Sequence, residues 1–237
     1  MRQEQQSYTD THLPPGGEGA IDVADEAALR AALAAAELGW LDRRVVRLTA
    51  SIALRETLVL SEPAIIQGHC PDEADGRCVL STAAADGSDF STAAADGHPL
   101  LHATGPAAVV QLEGLRLSGG TGSADGKLAG GLTASNHSAV DLVRVLVSGC
   151  SGQWGGGLRA DTHARISLVR SEVRGCSAVQ AGGGMYMHAA TVHLAYSQAR
   201  WWRGRWEPIF MPAFAGACES NLDCNSLPQL PQARFQA

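Results

Sequence analysis

Residues 148–168 read SGCSGQWGGGLRADTHARISL and residues 174–194 read RGCSAVQAGGGMYMHAATVHL, so one phrase recurs after 26 residues. Its double glycine occurs three times, at intervals of 26 and 27 residues, as Gly130-Gly131-Leu132, Gly156-Gly157-Leu158 and Gly183-Gly184-Met185. Apolar pairs keep the same register, as Val140 and Leu142, Ile166 and Leu168, and Val192 and Leu194. Short alternating pairs at this period predict a solenoid of stacked strands and not a set of helices. We expect these six side chains to be buried in three neighbouring parallel strands.

Each repeat also has a second apolar pair, such as Val145 and Val147. A spacing of two within a pair places both side chains on one face of a strand, whereas the spacing of three between pairs requires a corner near Val143 and Arg144. The glycines that follow permit another bend and a close approach of adjacent backbones. The pattern therefore predicts an all-β, right-handed parallel β-helix with three short faces and rungs of about 26 residues.

The segments around the repeats define the expected domains. Residues 1–19 are polar and are predicted to be disordered, residues 20–200 form the β-helix, and residues 201–237 form a C-terminal cap or loose tail. An amphipathic helix beginning at Asp22 or Asp25 and ending near Leu38 is predicted to cap the N-terminal end. The exact duplication within residues 81–97 predicts a flexible loop insertion, and Trp201, Trp202 and Trp206 are expected to cover the last rung.

The double-glycine phrase, the motifs Ser148-Gly149-Cys150 and Arg174-Gly175-Cys176, and the apolar pairs resemble the degenerate repeats of pectin-lyase-like β-helix proteins. They are most similar to the passenger repeats of polymorphic outer-membrane proteins and to uncharacterised algal and protist chains. The resemblance covers about residues 21–200 and implies the β-helix fold. Enzymes of this fold use calcium-binding aspartates with a basic residue, or several aspartates on neighbouring rungs. Here Asp141 and Asp161 do not share a register, which counts against an enzyme.

Composition limits the classes of partner. The 237 residues are 45% hydrophobic but only 5% aromatic and include 27 glycines, which suits one thin, elongated domain. A net charge of -6, a single lysine and no basic run argue against binding to nucleic acid or an anionic membrane. No apolar run approaches the roughly 18 residues that a transmembrane helix needs.

The six cysteines fall into two kinds. Cys70 and Cys78, eight positions apart across a polar turn, are predicted to form a loop disulfide, as are Cys218 and Cys224. Cys150 and Cys176 instead share a ladder whose spacing of about 4.8 Å exceeds the usual Cβ separation of a disulfide, so we expect free thiols. Loop disulfides predict an extracellular or cell-surface location, although residues 1–19 lack an apolar signal-peptide core. An incomplete N-terminus would reconcile the two observations.

Three outward ladders are candidate sites. Asp141, Ser167 and His193 stack at intervals of 26, but a nucleophilic triad needs histidine between serine and carboxylate, so a solvated polar ladder is favoured. His137 and His163, with His188 one position out of register, could share zinc, although loop histidines are more often simply solvated. Arg144, Arg170 and Tyr196 form a corner ladder in which a bound anion or a nearby carboxylate would relieve the repulsion of the arginines.

The sequence thus favours a noncatalytic module of a secreted or cell-surface protein that binds acidic glycans or other surface proteins. The binding residues expected are Arg144, Arg170, Tyr196, Asp141 and His193, with no catalytic residue, metal or cofactor. The inserts between rungs are short, which predicts little wall for a deep cleft. The alternative is a polysaccharide lyase or glycoside hydrolase of the pectin-lyase-like fold, which would require clustered carboxylates on one long face.

Overall fold

The chain forms an all-β parallel solenoid of about six turns, with rungs of about 27 residues. The computed structural model describes residues 20–34, 44–82 and 98–199. The predictions for residues 1–19, for most of the duplicated segment, for the Cys218–Cys224 pair and for the tryptophans after Arg200 lie outside these described residues. The expected fold class is confirmed, while the right-handed sense of the coil stays a prediction.

Within the described residues the elements are one helix and twenty short strands, which we number in chain order. They are β1 (Ile21–Val23), α1 (Glu26–Ala34), β2 (Arg44–Leu48), β3 (Ile52–Leu54), β4 (Leu58–Leu60), β5 (Ala64–Gly68), β6 (Cys78–Thr82), β7 (Leu101–Thr104), β8 (Val109–Glu113), β9 (Leu115–Ser118), β10 (Leu132–Ser135), β11 (Ala139–Val143), β12 (Leu146–Ser148), β13 (Ser151–Trp154), β14 (Leu158–Asp161), β15 (Arg165–Val169), β16 (Glu172–Arg174), β17 (Ser177–Ala181), β18 (Met185–His188), β19 (Thr191–Ala195) and β20 (Gln198–Ala199).

Three parallel sheets form the faces of the solenoid. The seven-stranded sheet has the order β1-β2-β5-β8-β11-β15-β19, the six-stranded sheet β20-β16-β12-β9-β6-β3, and the five-stranded sheet β18-β14-β10-β7-β4. A fourth pair, β13 with β17, contains a register shift that accommodates one additional residue. This irregularity explains why the third double glycine comes after 27 residues and not 26.

The predicted stacking of the apolar pairs is confirmed. Val140 pairs with Ile166, which pairs with Val192, and Leu142, Leu168 and Leu194 pair in the same way. The first two rungs bury these side chains in the core, but Val192 is only partly buried and Leu194 is 40% exposed. The expectation of burial is therefore wrong for Leu194, because β19 is the outermost strand of its sheet in the described part of the chain.

The N-terminal helix starts where its capping residue predicts. Asp25 Oδ1 accepts a hydrogen bond from the backbone N–H of Ala28 at 2.8 Å, which satisfies a free donor of the first turn. Leu29 and Ala32 on the inner side of α1 belong to the hydrophobic core. Glu26 accepts a hydrogen bond from the backbone N–H of Arg55 at 3.0 Å, so the helix is also tied to the chain after β3. Its role as an end cap stays a prediction, and its predicted end near Leu38 lies beyond the described helix.

The predicted corner after β11 has a left-handed backbone, and the corners after β15 and β19 repeat it. The φ angles are 54° at Arg144, 51° at Arg170 and 51° at Tyr196, in the region that most side chains avoid. The next rung stabilises the first two corners, because the N–H of Arg144 donates to Val169 O at 2.9 Å and that of Arg170 to Ala195 O at 3.0 Å.

A serine inside the corner forms hydrogen bonds with backbone N–H and C=O groups of the neighbouring rung. The Ser171 hydroxyl accepts a hydrogen bond from the N–H of Val145 at 3.0 Å and donates to Leu142 O at 2.9 Å. Ser197 occupies the equivalent place on the following rung, where its hydroxyl accepts the N–H of Ser171 at 3.0 Å. Ser171, which replaces the first apolar residue of the second pair, is therefore buried because its hydroxyl forms hydrogen bonds with backbone groups that would otherwise have no partner in the turn.

The four cysteines among the described residues behave as their spacing predicts. Cys70 and Cys78 form a disulfide with a Cα–Cα distance of 5.1 Å, whereas Cys150 and Cys176 are free and buried. The Cys150 thiol donates to Ser148 O at 3.4 Å and the Cys176 thiol to Arg174 O at 3.5 Å. Contact with Cys176 and burial raise the pKa of the Cys150 thiol, so it stays protonated and unreactive.

Candidate functional site

The three ladders predicted from sequence are present in the fold. At the corner, Arg144 Nη2 lies 2.7 Å from Glu113 Oε1. The second carboxylate oxygen of Glu113, Oε2, accepts a hydrogen bond from Gln67 Nε2 at 3.0 Å. A carboxylate therefore relieves the charge of Arg144, one of the two outcomes expected. Arg170 and Tyr196 are exposed on the next two rungs, Tyr196 by 75%. A role of this ladder in binding stays a prediction.

The ladder of Asp141, Ser167 and His193 lies across three neighbouring strands of the seven-stranded sheet. Asp141 is half-buried, Ser167 is buried, and His193 is exposed. Serine occupies the middle strand, so the imidazole cannot lie between hydroxyl and carboxylate as general-base catalysis requires. This ladder is a polar stripe on the outer face of the sheet.

The histidine ladder is a stacked pair. The rings of His137 and His163 have centroids 5.1 Å apart and planes 13° from parallel. Both residues are exposed and lie in the corner between the five-stranded and seven-stranded sheets, with φ angles of 67° and 62°. No group of three or more His, Cys, Asp or Glu side chains that could hold a metal ion occurs within the described ranges.

The outer face of the five-stranded sheet carries a groove of about 660 Å³. Leu132 and Ala134 of β10 and Leu158 and Ala160 of β14 point into the core, so the residues between them point outward. These outward residues form two rows, the first of His102, Thr133, Arg159 and Tyr186 and the second of Thr104, Ser135, Asp161 and His188. Both rows contribute to the groove, whose lining includes His102, Asn136, Arg159 and Asp161.

A loop at residues 121–128 forms one wall of the groove. It contains the four residues by which the interval from Val110 to Val140 exceeds the interval from Val140 to Ile166. Within it, Asp125 Oδ1 accepts hydrogen bonds from the Ser123 hydroxyl at 2.6 Å and the N–H of Lys127 at 3.0 Å. These bonds lower the pKa of Asp125 to about 2. Gln153 Nε2 donates to Ala124 O at 3.1 Å and so attaches the loop to β13. The wall is therefore a hydrogen-bonded turn.

Arg159 joins the floor of the groove to this wall. Its guanidinium donates to Gly126 O in the loop and to Asp161 Oδ2 at 2.8 Å, and it lies over the ring of Tyr186 at 5.3 Å from the centroid. Trp154 extends the aromatic surface, since its ring centroid is 5.2 Å from that of Tyr186. The side chain of Arg159 is only 12% exposed, so this charge is largely buried and neutralised by Asp161.

The remaining polar groups set the protonation of the groove. Burial alone would raise the pKa of Asp161, but hydrogen bonds from Arg159 and His188 outweigh burial and lower it. Burial lowers the pKa of His102, whose Nε2 is 2.9 Å from the Ser135 hydroxyl. At neutral pH the groove therefore presents two ionised carboxylates, Asp125 beside Lys127 and Asp161 beside Arg159, and a neutral imidazole among hydroxyl and amide groups.

The repeat pattern did not predict this site, although the sequence contains part of its signal. The residue directly after each repeated phrase is an outward-facing member of the groove's first row, namely Thr133, Arg159 or Tyr186. These three residues pair across neighbouring strands, as do Leu132, Leu158 and Met185 before them. What the pattern did not contain was the contact of Arg159 with Gly126, 33 residues earlier.

Comparisons with protein-family models, with curated proteins and with solved structures return no match to this chain. The likeness to pectin-lyase-like repeats accordingly rests on the motifs and the solenoid itself. No helix within the described ranges is long and apolar enough to cross a membrane.

Proposed function

We propose that this chain is a noncatalytic β-helix module of a secreted or cell-surface protein, and that it binds glycans, including acidic ones, on its repeat surface. The groove on the five-stranded sheet is the observation that carries the proposal. Its hydroxyl, amide and imidazole groups supply hydrogen-bond partners for a polyhydroxylated ligand, and the ring of Tyr186 packs against Arg159, which lines the groove. The Cys70–Cys78 disulfide supports an oxidising compartment.

The corner ladder supports the preference for acidic glycans. Arg144 and Arg170 occupy equivalent corners of consecutive rungs and are both exposed. Glu113 neutralises Arg144, whereas Arg170 has no carboxylate within ion-pair distance among the described residues. A uronate carboxylate could bind there, with Tyr196, Asp141 and His193 as neighbouring polar contacts. Such binding would weaken as salt is added, because the cations are at the surface.

The protonation of the groove argues against the alternative of a hydrolase. A glycosidase needs one carboxylic acid whose raised pKa keeps it protonated as the general acid, opposite a second ionised carboxylate. The two carboxylates that line the groove, Asp125 and Asp161, both have lowered pKa values. Neither carries a proton near neutral pH, so the general acid is missing there.

Binding and turnover can be measured on the same protein. Affinity electrophoresis in polygalacturonate or alginate should retard the wild type, with dextran as the uncharged control. The double variant Arg144→Ala, Arg170→Ala should lose the charge-dependent part of the retardation, and His102→Ala should weaken binding in the groove. Arg77→Ala, in the Cys70–Cys78 loop, is the matched control and should behave as the wild type.

Reducing-end and unsaturated-product assays on pectin, polygalacturonate, alginate and xylan should show no turnover. Turnover by the wild type that disappears in Asp141→Asn would overturn the noncatalytic assignment and favour the lyase or hydrolase. A wild type that no acidic or neutral glycan retards would overturn the glycan-binding assignment.

A further inference from the structure

The corner between β10 and β11 contains the tripeptide Asn136-His137-Ser138. It is the only Asn-x-Ser or Asn-x-Thr sequence, with x other than proline, in the 237 residues. This pattern is the acceptor sequence for N-linked glycosylation, which requires a surface position in a secreted protein.

The structure places the acceptor side chain where such a modification fits. Asn136 is exposed and has a φ angle of 53°, a left-handed conformation that asparagine tolerates better than most residues. Its Nδ2 donates a hydrogen bond to Thr104 Oγ1 at 3.0 Å. A substituted carboxamide keeps one N–H, so the glycosylated side chain can retain this bond and its position. Asn136 also lines the groove, so an attached sugar begins at the rim of that site.

The serine of the tripeptide indicates when the modification must occur. Ser138 is buried, and its hydroxyl donates to Ala103 O at 3.1 Å on the preceding rung. A transferase that recognises this hydroxyl cannot reach it in the folded protein. The pairing that buries Ser138 forms only after the neighbouring rung, 31 residues away along the chain, is in place, and parallel sheets fold slowly, so the acceptor is accessible in the new chain.

We propose that Asn136 carries an N-linked oligosaccharide, an inference that rests on the extracellular part of the proposed function. In the transfer, Nδ2 attacks C1 of the first sugar of an oligosaccharide carried on a lipid diphosphate, and a new C1–N bond forms. The C1–O bond to the phosphate breaks, the lipid diphosphate leaves with the electron pair, and Nδ2 releases one proton. The proposal therefore requires that the chain pass through a secretory compartment that contains this lipid-linked oligosaccharide and a transferase for it.

The test is secretion of the full chain, behind a cleavable leader, from cultured eukaryotic cells. Peptide-N-glycosidase should reduce the intact mass by one oligosaccharide and convert Asn136 to aspartate, which peptide mass mapping locates. Asn136→Gln and Ser138→Ala should both be secreted without the oligosaccharide, whereas Ser138→Thr should keep it. Asn136→Gln is the cleaner variant, since Asn136 is exposed and Ser138→Ala also removes a buried hydrogen bond.

Formation of the Cys70–Cys78 disulfide in the same samples reports that each chain passed through an oxidising compartment. Secreted wild type with this disulfide formed but with Asn136 unmodified would overturn the inference, whatever its glycan binding. Modified Asn136 in a protein that binds no glycan would uphold the inference and overturn the proposed function.

Discussion

Gly156→Ala tests why the repeated phrase consists of glycine. A Cβ at residue 156 would lie 2.1 Å from the carbonyl oxygen of Ser177 and 2.5 Å from that of Gly183, both on the next rung. Cβ atoms essentially never approach other atoms within 3.0 Å, so the first contact alone requires a movement of roughly 0.9 Å. The obstacles are backbone atoms, and a change of rotamer cannot relieve them.

The expected loss of unfolding free energy depends on which atoms must move to make room for the Cβ. Overpacking that side chains can absorb costs about 1–3 kcal/mol. Here the two rungs must separate, which stretches the hydrogen bonds from Gly156 N to Gly182 O and from Ser177 N to Cys150 O, now 3.2 and 2.9 Å. Each such bond contributes on the order of 1 kcal/mol. We therefore expect Gly156→Ala to lower the free energy of unfolding by about 3–5 kcal/mol.

Gly76→Ala is the matched control. Gly76 has a φ angle of +69°, and a Cβ there would meet no atom within 4 Å, so the variant incurs only the left-handed backbone cost of about 1–2 kcal/mol. Urea unfolding followed by far-ultraviolet circular dichroism measures both variants against the wild type. A midpoint shift for Gly156→Ala no larger than that for Gly76→Ala would refute the steric account of the double glycine.

Three further outcomes are expected. Leu168→Asp should destabilise the protein by about 3–5 kcal/mol because it buries an unpaired carboxyl group. Val179→Asp, at a side chain that is 81% exposed, should change the urea midpoint little. Equal midpoint shifts for the two variants would contradict the assigned core. Peptide mapping without reduction should show Cys150 and Cys176 alkylated only after unfolding, and a bond between them would show the ladder geometry to be wrong. The folded-state pKa of Asp161 lies below its ordinary value of 3.8. The ionised carboxylate therefore stabilises the fold fully above pH 3.8, and this stabilisation is lost as the pH falls through the folded-state pKa. Unfolding free energies measured from pH 5 downward should thus fall less steeply for Asp161→Asn, and identical slopes would contradict the assignment.

The strand register was predictable because a solenoid repeats its environment. Val140, Ile166 and Val192 occupy equivalent positions on three rungs, and their shared spacing was sufficient to pair them. Their burial was less predictable, because it depends on what is stacked on each side. Leu194 has the same register position as Leu168, yet it is exposed on the outermost strand of its sheet among the described residues.

The corner backbone could be predicted as a turn but not in its conformation. Left-handed residues are usually glycine or asparagine; Gly114 fits this preference at the corner after β8, but the next three corners carry arginine and tyrosine. Hydrogen bonds to the next rung, such as Arg144 N to Val169 O, stabilise the conformation against the residue preference. Those bonds are tertiary, so residue type at the three corners with arginine or tyrosine contained no signal for them.

The groove illustrates a more general limit of reading a repeat. Periodicity identifies the strand positions that successive rungs share, whereas the groove depends on loop residues that one rung has and the next rung lacks. Strand alternation alone predicts that Arg159 and Asp161, two residues apart on β14, face the same side and can pair. It does not predict that the guanidinium also reaches Gly126, because that contact exists only where the additional residues form a turn beside the sheet. Since the turn adds a wall to only one part of an otherwise repetitive face, ligand binding in this protein should concentrate where the repeat is interrupted.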